Sequence, residues 1–102
     1  MAPMRDDLLK DLQAWYLAQC DGRWEHSYGI KMETIDNPGW SFKVDLAATP
    51  LFDRAFDEMH FDGPNENDWY VCRIRNHIFE GICGPNRLSE VVAAFLNWAA
   101  VR

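Results

Sequence analysis

The chain lacks several features that commonly reveal the function of a small protein. It has no apolar run approaching the roughly 20 residues of a membrane-spanning helix, and its first residues contain no apolar signal-peptide core. It has no glycine-rich phosphate loop, no serine nucleophile elbow and no pair of CxxC motifs. These absences predict a cytoplasmic protein that does not enter a membrane and holds no cofactor.

Positive charge is also scarce. The chain has 10 Lys and Arg against 16 Asp and Glu, a formal charge of −6. This balance argues against direct nucleic-acid binding, which depends on basic residues that neutralise phosphates. Most of the excess lies in residues 53–68, where Arg54 is the only base. Such a segment either steers a basic partner or is a solvated loop; its acids are Asp53, Asp57, Glu58, Asp62, Glu66 and Asp68.

Cysteines are few, at three, and their odd number without a secretion signal predicts reduced thiols. Cys83 precedes Gly84-Pro85-Asn86 and resembles the first cysteine of a thioredoxin turn. The second cysteine of such a turn is missing, and too few residues follow for a thioredoxin fold. These two points weigh against catalysis by Cys83, and a small enzyme that uses Cys83 for redox or sulfur-transfer chemistry is kept as an alternative function.

The residues that are abundant predict one folded domain over residues 1–102. Apolar residues make up 48% of the chain and aromatic residues 14%. Apolar spacing predicts a helix from Leu8 to a stop at Gly22 and a second helix after Pro85. The fold class is α+β, an antiparallel meander of about five strands in the order α-β-β-β-β-β-α. The predicted strands are residues 28–35, 40–46, 55–61, 69–75 and 78–83, with a type II turn over residues 36–39 that gives Gly39 a positive φ.

The segment from Cys20 to Trp40 concentrates groups that could carry chemistry or recognition. Glu25 and His26 are either an acid–base pair or ties between a loop and the backbone. Cys20, Asp21, Glu25 and His26 do not match a zinc spacing, so we predict no metal site. Trp24 and Trp40 flank a loop and a turn, where tryptophan either completes a core or anchors a partner.

The ordered motifs of this segment resemble a bacterial family, immunity protein 53 of polymorphic toxin systems. The resemblance extends to Trp69-Tyr70 and to the last helix with Phe95 and Trp98. Its specific part is Trp15-Tyr16, Cys20-Asp21-Gly22, Trp24-Glu25-His26, Tyr28-Gly29-Ile30 and Asp36-Asn37-Pro38-Gly39-Trp40.

The resemblance implies a non-enzymatic protein, without a catalytic residue, that binds a cognate protein toxin in the cytoplasm and blocks it. Many such toxins are nucleases with basic clefts, which an acidic partner could occupy as a phosphate mimic. The predicted partner-binding residues are Trp24, Glu25, Trp40, Asp57, Glu58, Asp62, Glu66 and Asp68. The predicted structural residues are Trp15, Tyr16, Asp21, Gly22, His26, Tyr28, Gly29, Asp36, Asn37, Pro38 and Gly39. A homo-oligomeric accessory domain, such as a homodimer, is a further alternative.

Overall fold

A computed structural model describes residues 7–100 of the chain. Residues 1–6 and 101–102, which the single-domain prediction included, lie outside the described residues. The chain forms a helix at each end and five strands between them, which confirms the α+β class. The elements are α1 (Leu8–Gln19), α2 (Trp24–Ser27), β1 (Ile30–Ile35), β2 (Gly39–Asp45), β3 (Met59–Asp62), β4 (Trp69–Arg75), β5 (Ile78–Cys83) and α3 (Leu88–Ala100).

The five strands form one antiparallel sheet in the order β1-β2-β5-β4-β3. The prediction of an uninterrupted meander was wrong in one connection, because β2 lies beside β5 and not beside β3. Residues 46–58 give the chain the length to pass from β2 to the far edge. The buried pattern of β2 is that of a strand with a neighbour on each side. β1 and β3 are therefore the two edges of the sheet.

One face of the sheet carries the core. Phe42, Val44 and Phe79 are 0% exposed and pack against α3, whose Val91 and Phe95 are also 0% exposed. Val91 packs directly over Gly81, where a Cβ would overlap its side chain. The apolar residues of the last helix thus form the contact that holds α3 on the sheet.

The opposite face of the sheet carries charged side chains. Cross-strand register places Lys31, Lys43, Glu80 and Arg73 in one row across four strands. Arg73 Nε donates to Glu80 Oε1 at 3.0 Å, whereas Lys31 lies directly opposite Lys43. Like charges in directly opposed positions destabilise a strand pair, so Lys31 is the unfavourable member of this row.

Local sequence patterns predicted the positions of most helices and strands. The predicted limits of β4 and β5 match the structure, and Asn76 and His77 both have positive φ in the two-residue turn between them. The start of β3 was placed four residues too early, at residue 55 and not at Met59. α1 ends at Gln19, before Gly22, and the short helix α2 was not predicted.

Among the described helices, none has the length and apolarity that crossing a bilayer requires.

Candidate functional site: the motif loop and the acidic edge

Residues 20–29, here called the motif loop, are held by the carboxylates of Asp21 and Glu25, which accept hydrogen bonds from nearby backbone N–H groups. Asp21 Oδ1 accepts hydrogen bonds from the N–H groups of Arg23 at 2.9 Å and Trp24 at 3.1 Å. Glu25 accepts in return from the N–H groups of Asp21 at 2.9 Å and Gly22 at 2.8 Å. The arrangement resembles a capping box, and Asp21 satisfies the free N–H of Trp24 at the start of α2. It provides the tie between loop and backbone that the sequence offered as one role of Glu25.

The two carboxylates make the motif loop sensitive to acid. Hydrogen bonds from the backbone of Trp24 and Arg23 lower the pKa of Asp21, and the N–H groups of Glu25 itself, Asp21 and Gly22 lower the pKa of Glu25. A carboxyl group whose pKa is lower in the folded chain than in the unfolded chain stabilises the fold at pH values above its unfolded pKa. This stabilisation is lost as the pH falls through the folded pKa. We expect the free energy of unfolding to decrease below about pH 4.5, the ordinary value for Glu.

Urea unfolding at a series of pH values tests this expectation with Glu25→Gln. The variant should show a shallower decrease between pH 4.5 and the acid limit than the unaltered chain. Glu66→Gln is the matched control, because Glu66 is exposed and makes no hydrogen bond to the described residues. Equal pH slopes for Glu25→Gln and the unaltered chain would contradict the role given to this carboxylate.

Trp24 was a predicted partner-binding residue, and the structure places it in the core. Its side chain is 0% exposed, with its ring centroid 5.7 Å from Trp15 and 5.6 Å from Tyr16. The indole N–H donates to the carbonyl of Asp45 at 3.1 Å, which joins the motif loop to the end of β2. Trp24 therefore offers no surface to a partner in this conformation, and direct contact by its side chain is a wrong prediction.

The 36–39 turn differs from the predicted type II geometry. The Asn37–Pro38 peptide bond is cis, and Gly39 is not among the residues with positive φ. Gly39 is required for a different reason, since a Cβ there would overlap the carbonyl oxygen of Cys83 on the neighbouring strand. Asp36, Asn37 and Pro38 are exposed. Within the motif loop, Gly22 and Gly29 have φ of 90° and 79°, so these are the glycines that need conformational freedom.

Trp40, the next predicted contact residue, is half-buried beside an open apolar groove. Its indole N–H donates to the carbonyl of Pro85 at 3.2 Å. The groove has a volume of about 370 Å³ and includes Leu9, which is 66% exposed, and Met32, which is 39% exposed. Trp40 thus keeps one side available to a partner. His26 and Tyr28 are exposed in the motif loop, where the backbone N–H of His26 donates to the carbonyl of Arg23 at 3.2 Å.

The acidic segment forms one edge of the molecule. Four of its predicted contact residues are exposed and lie on or beside the edge strand β3; we call Asp57, Glu58, Asp62 and Glu66 the acidic edge. Its single ion pair to a described residue joins Glu58 to His60 at 3.3 Å, and both side chains are more than half exposed. The acidic edge and the motif loop were predicted together as a partner-binding set, but β3 and β1 lie at opposite edges of the sheet.

Asp68 differs from the other acids because its charge is paired. Its two carboxylate oxygens accept hydrogen bonds from Nε and Nη2 of Arg87, and the distance from Nη2 to Oδ2 is 3.0 Å. Arg87 also contacts Glu90, and its guanidinium lies 4.5 Å from the centre of the Phe61 ring. The Arg87 side chain lowers the pKa of Asp68. Asp68 therefore fixes the 63–68 loop to the start of α3, a role that the sequence did not reveal because the partners are far apart in the chain.

The geometry of Cys83 argues against the enzyme alternative. Its side chain is 0% exposed, and burial raises the pKa of its thiol. A catalytic thiol needs a lowered pKa and access to solvent, so Cys83 has the reverse of both properties. Within residues 7–100, no group of three or more His, Cys, Asp and Glu side chains is arranged to hold a metal ion.

Comparison with known proteins identifies the chain at the level of its family. The family model for Immunity protein 53 matches residues 9–100, which includes the motif loop, the sheet and α3. The searches found no significant match among curated proteins or solved structures. Because the matched region covers nearly all of the chain, the protein belongs to the immunity protein 53 family.

Proposed function

We propose that this chain is an immunity protein that binds a cognate bacterial toxin in the cytoplasm and blocks it in a stoichiometric complex, without turning over a substrate. The observation that carries this proposal is the family match over residues 9–100. The buried, high-pKa state of Cys83 also favours binding over cysteine chemistry.

The acidic edge is the surface that we propose for the toxin. Its four carboxylates are exposed, and no Lys or Arg among the described residues pairs with them. A surface of one sign accelerates encounter with a partner of the opposite sign and fixes its orientation. The partner that fits is a toxin with a basic substrate cleft, and nucleases form one such class. Asp68 would act indirectly, because its ion pair with Arg87 holds the loop that presents Glu66.

The motif loop has a supporting role in this proposal. Trp24 is buried, and both carboxylate oxygens of Glu25 already accept a backbone N–H group, so the two side chains serve mainly to hold the loop. Their contribution is to hold the end of β2 and the loop before β1. Trp40 remains a contact residue in the proposal through its exposed side in the apolar groove.

Charge reversal tests the acidic edge. The double variant Asp57→Lys/Glu66→Lys should bind the toxin encoded beside this chain with an association rate about tenfold lower at low salt, and with a weaker dependence on salt. The matched control is Asp7→Lys/Asp36→Lys, which makes the same change in net charge at exposed positions away from β3. Stopped-flow fluorescence at several salt concentrations measures both rates.

The outcomes separate the parts of the proposal. Failure of the unaltered chain to bind or inhibit that toxin would contradict the immunity function. Tight binding with equal association rates for the two double variants would contradict the acidic edge alone. A slow test variant beside a fast control would support both.

A further inference from the structure

The free edge of β1 is the strongest unexplained feature of the molecule. β1 runs through residues 30–35 in unbroken antiparallel register with β2, and its Lys31, Met32, Glu33 and Thr34 are all exposed. No described strand pairs with its other side. A regular edge strand of this kind is a template for another strand, unless a proline, a bulge or a covering segment blocks it. β1 contains no proline, and its register with β2 shows no bulge.

The hydrogen bonds of the sheet show which backbone groups of β1 are free. Asp45 N–H donates to the carbonyl of Gly29 at 3.1 Å, one step beyond the Ile30–Val44 pair. Alternate residues of an antiparallel strand direct their N–H and C=O groups to opposite sides. The backbone N–H and C=O groups of Lys31, Glu33 and Ile35 therefore point towards β2. Those of Ile30, Met32 and Thr34 point away from the sheet.

We propose that this edge pairs with β1 of a second copy of the chain, in antiparallel register about a two-fold axis at Met32. Charge complementarity favours a second copy as the partner of this edge. In this register Met32 meets its own copy and Ile30 meets Thr34, so every residue with outward backbone groups finds an outward partner. Lys31 then lies directly opposite the second copy's Glu33, and Glu33 opposite its Lys31. The strand is thus complementary to itself.

The neighbouring registers lack this match. A shift by one residue would pair outward backbone groups with inward ones, which an antiparallel ladder does not allow. A shift by two residues places either Lys31 or Glu33 opposite its own copy, and like charges in that position are unfavourable. Only the Met32-centred register joins opposite charges at both symmetric positions. It also gives Lys31, which faces Lys43 within the chain, an acidic neighbour on its other side.

The apolar side of the same strand fits the pairing. Met32 lies on the opposite face from Lys31, in the wall of the groove that also contains Leu9 and Trp40. The two-fold axis at Met32 would bring the two grooves together, so the exposed parts of Met32 and Leu9 would approach their copies. The acidic edge lies at the far side of each sheet and stays open. This inference does not rest on the proposed function.

A charge swap tests the register. Lys31→Glu and Glu33→Lys each place like charges opposite one another at both symmetric positions, so each should raise the dimer dissociation constant about tenfold or more. The combined Lys31→Glu/Glu33→Lys variant restores opposite charges and should return the constant toward its original value. Arg75→Glu is the control, because it changes the charge by the same amount as Lys31→Glu on the same face of the sheet, three strands away. Sedimentation equilibrium over a range of concentrations measures all four.

A backbone variant tests the edge itself. Met32→Pro removes an N–H that points away from the sheet, so the intrachain ladder keeps its hydrogen bonds while the proposed dimer loses two. We expect a folded monomer by circular dichroism and sedimentation. The proposal is overturned by a chain that stays monomeric at every concentration, by a dimer that Met32→Pro leaves intact, or by a charge swap that weakens the dimer as much as the single reversals do.

Discussion

Replacement of Trp24 by alanine is expected to lower the free energy of unfolding by about 3–5 kcal/mol. The indole is 0% exposed, and two aromatic rings pack on it. Alanine would leave a large cavity between α1 and the end of β2, and it would leave the Asp45 carbonyl without its indole donor. Small domains have a total stability of about 5–15 kcal/mol, so this loss would bring the chain close to unfolding.

Urea denaturation followed by circular dichroism measures this effect. Trp24→Phe should cost less, because a phenyl ring fills more of the site than a methyl group does, although it also lacks the N–H donor. Tyr28→Ala is the matched control in the same loop, since Tyr28 is 44% exposed and its truncation leaves the core intact. A Trp24→Ala chain as stable as Tyr28→Ala would contradict the core position and return Trp24 to the surface.

The second large effect is expected at Gly39. Gly39→Ala should destabilise the chain by about 3 kcal/mol, at the upper end of what overpacking costs. The added methyl group would overlap a backbone carbonyl, that of Cys83, which cannot rotate away as a side chain can. Relief therefore requires β2 and β5 to separate at the end of their ladder, where Trp40 pairs with Cys83.

Gly22→Ala is the control that separates crowding from backbone strain. Gly22 has a φ of 90°, but a Cβ at that position would meet no atom within 4 Å. Its replacement should cost only the conformational penalty of about 1–2 kcal/mol. Thermal and urea unfolding of both variants give the comparison. If Gly22→Ala proves the more damaging change, the close approach of β2 and β5 is not what requires glycine at position 39.

The local parts of the fold were predictable because local signals specify them. Phe42 and Val44 alternate with polar residues along β2, and Val91 and Phe95 recur at helical spacing in α3; all four side chains lie in the core. The neighbour of β2 was not predictable, since nothing in residues 40–45 distinguishes β5 from β3 as a partner. The same holds for Gly39, whose need for space arises from the carbonyl of a residue far along the chain.

The site shows the same division between local and distant interactions. The tie formed by Glu25 was among the sequence interpretations, because its partners Asp21 and Gly22 are four and three residues away. The engagement of Asp68 by Arg87 was missed, because the two residues are 19 positions apart. The burial of Trp24 was left open between core and interface, since a tryptophan beside a loop suits both. Its contacts with Trp15 and Asp45 decide the question only in the folded chain.

The pairing of β2 with β5 has a consequence for the order in which the chain folds. The β1–β2 hairpin and the β3–β4–β5 unit can each form from residues close together in sequence. They become one sheet only when residues 40–45 meet residues 78–83, and that event must close the intervening stretch of chain. Ring closure of this length loses chain entropy before any contact compensates for it. We therefore expect the union of these two halves to be the slow step, and α3 to complete its packing only then, because it contacts β2 as well as β4 and β5.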